Sequence, residues 1–176
     1  TGEHIGGVVI TSTDPDDPEY SLALTGVGIQ SDLQLDPTSL AYGDVRVGEH
    51  SETAFTLSNT GDAGTVITGV GLSPEADDFD LVEDPAALFP LALAGGESLE
   101  LHILYAPELE ESDQGMLTVL TDDPNGQPTL PLSGRGVLPH LELVPADDPI
   151  EFGEVVLGQV GQLELVFLNN GTTDLL

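Results

Sequence analysis

The chain has 176 residues, sets 32 Asp and Glu against 2 Lys and Arg, and carries a formal net charge of −30 at pH 7. So negative a surface repels phosphate backbones, which excludes nucleic acid as a partner. The lack of any cysteine removes disulfides, thiolate metal sites and a cysteine nucleophile. No run approaches the roughly 18 apolar residues needed to cross a bilayer, so no membrane insertion is expected, while 39% apolar residues suffice for a packed core.

In chain order, residues 1–30 open "TGEHIGG", without a basic and apolar leader. They pass through the turn "TDPDDPEY" and close on "LTGVG" at 24–28. Short strands with period-2 alternation follow, at 33–36, 39–47, 50–59, 65–72 and 78–83, and then at 98–106, 115–121 and 129–134. "HSETAFTLSN" puts Thr53, Phe55 and Leu57 on one face and Ala54, Thr56 and Ser58 on the other. "SLELHILYA" turns Leu99, Leu101, Ile103 and Tyr105 inward and Glu100 and His102 outward. Between these runs, 85–93 has room for one helical turn, and its two prolines preclude more. "GMLTVLT" and "TLPLSG" form the last two strands across the turn "DDPNGQP", and "LSGRG" at 132–136 echoes "LTGVG".

That echo is systematic. A shift of 108 brings Gly7 onto Gly115, Asp14 onto Asp122, Leu22 onto Leu130, Leu24 onto Leu132, Gly26 onto Gly134 and Gly28 onto Gly136. Leu33, Leu35 and Pro37 fall on Leu141, Leu143 and Pro145. After a two-residue insertion near "ADDP", "YGDVRVG" at 42–48 matches "FGEVVLG" at 152–158, and "FTLSNTG" at 55–61 matches "LVFLNNG" at 165–171. Internal repeats of this kind define the architecture. Residues 1–30 are expected to be the C-terminal strands of one module, 31–137 a complete module and 138–176 the N-terminal strands of a third, as in a piece of a longer tandem array. The fold expected is all-β: immunoglobulin-like β-sandwich modules in tandem, about seven strands each. A core Trp and an inter-sheet disulfide are both missing, so it is not an antibody-type domain.

Gly43 and Gly48 fall where a strand must kink or turn, which a left-handed glycine permits. Asn59 and Gly61 give a turn signal after a strand, since Asn can bond its own backbone. Gly26 and Gly28, like Gly134 and Gly136, read as short joints between modules, too short for a flexible tether. A semi-rigid rod is therefore expected, with acidic sheet edges that resist edge-to-edge pairing.

The stretch "LDPTSLAYGDVRVGEHSETAFTLSNTGDAGTVITGVGL" resembles the opening of the bacterial choice-of-anchor D repeats, relatives of the ASH (hydin-type) and major-sperm-protein-like immunoglobulin folds. Tyr42, Gly43, Val45, Val47, Gly48, Asn59, Thr60 and Gly61 fill the places of the family pattern. "LAGGESLELHILYAP" and "GMLTVLTDDPNGQPTLPLSGRG" resemble its later strands, with Gly95 where Pro is usual. The resemblance implies spacer or scaffold modules of large secreted or surface proteins.

No catalytic motif is present: there is no G-x-S-x-G, P-loop or dinucleotide glycine pattern, so the chain is expected not to be an enzyme and no catalytic or cofactor-binding residue is assigned. His4, His50, His102 and His140 lack metal-ligand spacing and read as solvated surface histidines. Acidic clusters lie at Asp14, Asp16, Asp17 and Glu19; at Glu75, Asp77, Asp78 and Asp80; at Asp122 and Asp123; and at Asp147, Asp148 and Glu151. Hard oxygen ligands suit Ca²⁺, yet the EF-hand spacing is absent and Asp-Pro is ordinary turn chemistry. No metal ligands are assigned; Ca²⁺ stays a candidate, best placed at the joints. Asn170-Gly171-Thr172 is an N-x-T triplet that coincides with the repeat's turn motif. The expectation is a non-catalytic spacer or assembly module, a stalk or filament segment outside a bacterial cell or on its surface. Its partners would be neighbouring modules, further copies or surface proteins. The alternative is an adhesin-type or partner-recruiting binding module, stabilised by calcium.

Overall fold

Alternation along each strand decides what it buries, and the partner strands follow from that. The computed structural model describes residues 2–73, 76–123, 125–146 and 149–175. Glu75, Asp147 and Asp148, named above, and Pro124 of the turn "DDPNGQP" lie outside the described residues. The elements are β1 (Gly2–Thr11), β2 (Glu19–Gly28), β3 (Leu33–Asp36), β4 (Leu40–Arg46), β5 (Ser51–Asn59), β6 (Thr65–Leu72) and β7 (Phe79–Leu81). Then come α1 (Pro85–Leu88), β8 (Leu91–Leu93), β9 (Ser98–Tyr105), β10 (Ser112–Thr121), β11 (Thr129–Val137), β12 (Leu141–Val144) and β13 (Val166–Asn169).

Two sheets form the body, in the orders β3-β5-β9-β7 and β4-β11-β10-β6-β8. All neighbours run antiparallel except β11 and β4, which are parallel. Phe55, Leu57, Leu101, Ile103 and Tyr105 of the first sheet meet Ile67, Leu117, Val119, Leu130 and Leu132 of the second, all buried. Each such side chain contributes on the order of 1.5–3 kcal/mol by leaving water. The fold is an all-β, immunoglobulin-like sandwich. Nine strands contribute: the eight runs read from the sequence, one more than the seven or so of the expected fold, and β8, which appears because 85–93 does two jobs. Asp84 caps the single turn α1 by accepting a hydrogen bond from the Ala86 N–H at 3.0 Å. Leu91–Leu93 then extends as β8 along β6. The glycines expected to be left-handed are so: Gly43 has φ +67° and Gly48 +85°, and their repeat partners Gly153 and Gly158 have +65° and +84°.

The flanking segments build separate two-stranded sheets, β1-β2 and β12-β13. The register of β12 on β13 copies that of β3 on β5: Leu141 pairs with Asn169 as Leu33 pairs with Asn59. The β1–β2 hairpin is slipped by one residue from its copy. Leu130 pairs with Leu117, but its counterpart Leu22 pairs with Val8 rather than Val9. A buried face pins register, and β10–β11 has one, whereas nearly all of β1 and β2 is exposed. There the turn alone sets the pairing, through Ser12 and Asp14, which accept from the Asp14 and Asp16 N–H groups.

The glycine pair of "LSGRG" is not a joint. Gly134 and Gly136 lie inside β11, and the link to β12 comes after Val137. A Cβ on Gly134 would overlap the ring of Tyr105, and one on Gly136 the carbonyl oxygen of Leu109. Gly115 on β10 similarly leaves room for Ala76 and Phe79. Gly134 and Gly115 seat an aromatic trio, in which the Phe79 and Tyr105 centroids are 4.7 Å apart and Tyr42 lies 5.3 Å from Tyr105 and 5.8 Å from Phe79. Sequence read the pair as seams because a strand glycine's spatial neighbour is remote in the chain. Gly134→Ala is expected to destabilise by about 1–3 kcal/mol through overpacking. Gly26→Ala, where an added Cβ meets nothing within 4 Å, should stay within about 0.5 kcal/mol. Urea unfolding followed by circular dichroism compares the two; equal effects would return both glycines to the status of joints.

Candidate functional site at the link before β3

Three segments meet at one end of the sandwich: the link at Gln30–Asp32, the end of β5 at Asn59–Ala63, and the β10–β11 turn at Asp122–Pro128. Asn59 organises the first two. Its side chain is 1% exposed, and its Oδ1 accepts from the Asp32 and Gly61 N–H groups, both at 3.1 Å. Its Nδ2 donates to the carbonyls of Ala63 at 2.8 Å and Leu93 at 3.1 Å. All four hydrogen-bonding sites of the side-chain amide, two donors and two lone pairs, are used, as a buried amide requires. Asn169 repeats the pattern, accepting from the His140 and Gly171 N–H groups and donating to Thr173. Gly61 is fixed by close approach: a Cβ there would strike the Gln30 carbonyl.

Asn125 reaches across from the β10–β11 turn and donates from Nδ2 to the Ser31 carbonyl at 2.6 Å. The turn closes with Gly126 N–H on the Asp123 carbonyl at 3.2 Å, and Asp123 Oδ1 accepts from the Asn125 N–H at 2.8 Å. Its two acids differ. Asp122 is exposed and extends the β6 ladder, its Oδ1 accepting from the Val66 N–H and the Thr65 hydroxyl, both at 2.8 Å. The Val66 bond first, and the Thr65 bond second, hold its carboxyl below the usual range. Asp123 is buried, continuing the inward parity of Leu117, Val119 and Thr121. That alternation was present in the sequence, but reading the whole turn as solvent hid it.

In the remaining acidic clusters the described acids either accept from backbone N–H groups or stand exposed. Asp14 and Asp80 each accept from a nearby backbone N–H, at 3.0 and 2.8 Å, and Asp78 accepts from the Glu108 N–H at 3.2 Å. Burial raises Asp78, opposed by that bond, and Asp113, Glu108 and Glu111 raise it further. Asp17, Glu19, Asp77 and Glu151 are exposed. Among the described residues no group of three or more His, Asp or Glu is placed to hold a metal.

His4, His50 and His140 are exposed. His102 is on the outward face as expected, but it is not free. Its Nδ1 lies 2.7 Å from Glu83 Oε1, its own N–H donates to Glu83 Oε2 at 3.1 Å, and Glu100 Oε1 lies 4.0 Å from Nε2. The Glu83 bond raises the His102 pKa above its ordinary value of 6.5, slight desolvation opposing it, with the charges of Glu83, Glu52 and Glu100 adding. For Glu83, burial pushes upward but is outweighed by the bonds from the His102 ring and backbone, so its pKa falls below 4.5. Glu83 and His102 are 19 residues apart, and only the pairing of β7 with β9 brings them together. Sequence spacing carries no sign of it.

No family model matches the chain. It is 32% identical to cilia- and flagella-associated protein 74 of Chlamydomonas reinhardtii over 65% of its own length, a span that makes up only 6% of that relative. A Porphyromonas gingivalis protein of unknown function has a similar structure, with TM-score 0.50 and 16% identity, over 76% of this chain and 66% of that one. The ASH/PapD-like domain 7 of human CEP192 is also similar, with TM-score 0.49 and 13% identity, over 61% of this chain and 86% of that one. At such identities the likeness concerns the fold. Among the described residues no helix is long and apolar enough to cross a membrane.

Asn59→Ala strands two N–H groups and two carbonyls at once. It is expected to cost about 3 kcal/mol in urea unfolding, while Asn169→Ala, at an exposed amide, should barely move the midpoint. The Glu83–His102 pair makes a pH signature. A raised His102 contributes stability that is fully present below pH 6.5 and is lost as pH rises through its higher folded pKa. A lowered Glu83 contributes stability present above pH 4.5 and lost as pH falls through its lower folded pKa. The stability gap between the parent chain and His102→Gln should therefore be widest near pH 5.5 and narrow toward pH 8.5. Urea midpoints across that range test it, and a gap that widens with pH contradicts the pairing.

Proposed function

We propose that the chain is a non-catalytic spacer or assembly segment of a larger acidic repeat protein, built from tandem modules of the choice-of-anchor D and ASH (hydin-type) kind. One observation carries the reading. Leu22 and Leu24 of β2 are each 47% exposed, while their repeat counterparts Leu130 and Leu132 are 0% and 2% exposed. The same residues are core in one copy and surface in the other. The difference is that β10 and β11 have β6, β4 and the opposite sheet for company. On this reading residues 1–30 are closing strands of a preceding module, 31–137 a complete one and 138–176 the opening of the next. Stability in such arrays is a sum of module and neighbour-interface terms.

Its setting on a bacterial surface or outside the cell is supported by the lysine-free, acidic composition and by the resemblance to bacterial repeats. The likeness to a cilia- and flagella-associated protein favours a second reading, a partner-recruiting module of the ASH type. In both readings the partners are proteins: neighbouring modules first, then further copies or a surface protein.

A chimera tests the array. Residues 31–108 fused ahead of residue 1 recreate a full module in repeat register, since residue 1 then occupies the place of residue 109. Backbone amide exchange of β1 and β2 is expected to slow by roughly a hundredfold or more, as a surface hairpin becomes core. If the hairpin amides exchange as fast as before, it does not belong to a module of this design.

A further inference from the structure

A cleft of about 180 Å³ opens between the joint and the β10–β11 turn, lined by Asp32, Leu33, Asp123, Asn125, Gly126, Gln127 and Pro128. Asp123 is 7% exposed. Its Oδ1 is used by the Asn125 N–H, but its Oδ2 is buried with no hydrogen-bond partner, alone in this among the described side chains. Burying a carboxylate oxygen without a donor is costly, and the two arginines make no ion pair within 4.0 Å among the described residues. Asp32 stands on the same cleft, its carboxylate oriented by neutral donors only: the Thr60 hydroxyl at 2.9 Å and the Gln34 amide at 3.0 Å. Asn125 has its Nδ2 committed to Ser31, which leaves its amide oxygen for another partner.

We infer that this cleft is a binding site for one divalent, oxygen-seeking cation of the Ca²⁺ class, held by the carboxylates of Asp123 and Asp32. The oxygens available are of the hard kind that Ca²⁺ selects, and with two carboxylates the remaining places of a six- to eight-fold shell fall to the Asn125 amide oxygen, backbone carbonyls and water. A cation there supplies the partner that Asp123 Oδ2 lacks. It also ties the link at Gln30–Asp32 to the β10–β11 turn, so binding stiffens the entry to the module. The site is private to this copy of the repeat: a shift of 108 turns Asp32 into His140 and Asp123 into Pro15. It stands whether or not the chain serves as a spacer.

Equilibrium dialysis of the whole chain against radioactive calcium tests it, in about physiological salt so that diffuse attraction to the acidic surface is screened. One ion per chain is expected to bind saturably, with half-saturation on the order of 10⁻⁴–10⁻³ M, the range of extracellular modules. Asp123→Asn keeps the turn-forming shape and removes the charge, and it should weaken binding at least about tenfold, as fewer charged ligands do. Asp32→Asn should act in the same direction, and it carries the test if Asp123→Asn fails to fold by circular dichroism. Asp16→Asn, in the exposed β1–β2 turn, should bind as the parent does. Thermal melting gives an independent reading: CaCl₂ should raise Tm more than NaCl of equal ionic strength, and the excess should vanish in Asp32→Asn. The inference is overturned if no saturable ion binds, if both cleft variants bind like the parent, or if the two salts raise Tm equally.

Discussion

The structure turns on one buried amide. Asn59 ends β5, and around it the chain must satisfy several backbone groups that no ladder reaches. Its side chain answers four of them. Its own N–H and carbonyl bond the Glu97 carbonyl and the Gly96 N–H. The link before β3, the loop after β5, the end of β8 and the turn before β9 are thereby held to a single residue. Register follows from the same place, because Leu33 opposite Asn59 starts the β3–β5 ladder, and a one-residue slip there would turn Leu33 and Leu35 away from the core. Partial satisfaction would be worse than none in such a buried network, so Asn59 and the close-packed Gly61 belong together as a unit. The recurrence of both at Asn169 and Gly171, with the same β12–β13 register, shows the unit forming in a separate two-stranded sheet.

A second constraint lies at the other end of the sheets, where the aromatic trio needs depth. Tyr105 is fully buried along its ring, with its hydroxyl donating to the Asp113 carboxylate. Burial first, and that carboxylate second, push its pKa far up, so it stays a neutral donor. Asp113 is the β10 partner of Gly134. One strand pair thus supplies both the acceptor for the phenol and the space for its ring. Tyr42 completes the group by donating to the Ile103 carbonyl at 2.6 Å, its pKa raised to about 12 mainly by burial. Of the repeated Gly-x-Gly, Gly134 records this packing demand, while Gly136 yields to the Leu109 carbonyl and a Cβ on Gly26 of the flanking hairpin would meet nothing within 4 Å.

What was legible in the sequence was local. Phe55 and Leu57, and likewise Leu101, Ile103 and Tyr105, are buried as their alternation requires, since period two leaves little choice of face. Gly43 and Gly48 are left-handed because turn chemistry is decided within a few residues. Position β8 was missed because three residues after a helical turn carry no period. The contacts that matter at the joint were hidden for another reason. Asn125 and Ser31 are 94 residues apart, and Asp122 reaches Thr65 over 57. In a chain with this many carboxylates nothing in the composition separates the buried Asp123 from its exposed neighbour. Strand parity separates them, once the strand is followed past its last apolar residue.

The acidic surface and the repeat have a common consequence. Repulsion among unpaired carboxylates opposes any compact state, so each module must hold itself together by burial and by backbone satisfaction. Many acids serve that end by capping N–H groups, as Asp14, Asp80, Asp84 and Asp122 do. Burial in turn needs both sheets. A hairpin with the same leucines but no opposite layer leaves them half in water, and its register then follows its turn instead of its core. The sandwich therefore ends where its opposing layers close, and that point lies after Val137, beyond the glycines that mark the repeat in the sequence. Whatever neutralises charge at the link before Leu33 acts where the Asn125 amide ties the β10–β11 turn to the Ser31 carbonyl, so the hold of that link on the sandwich is decided by a few oxygen atoms and not by the hydrophobic interior.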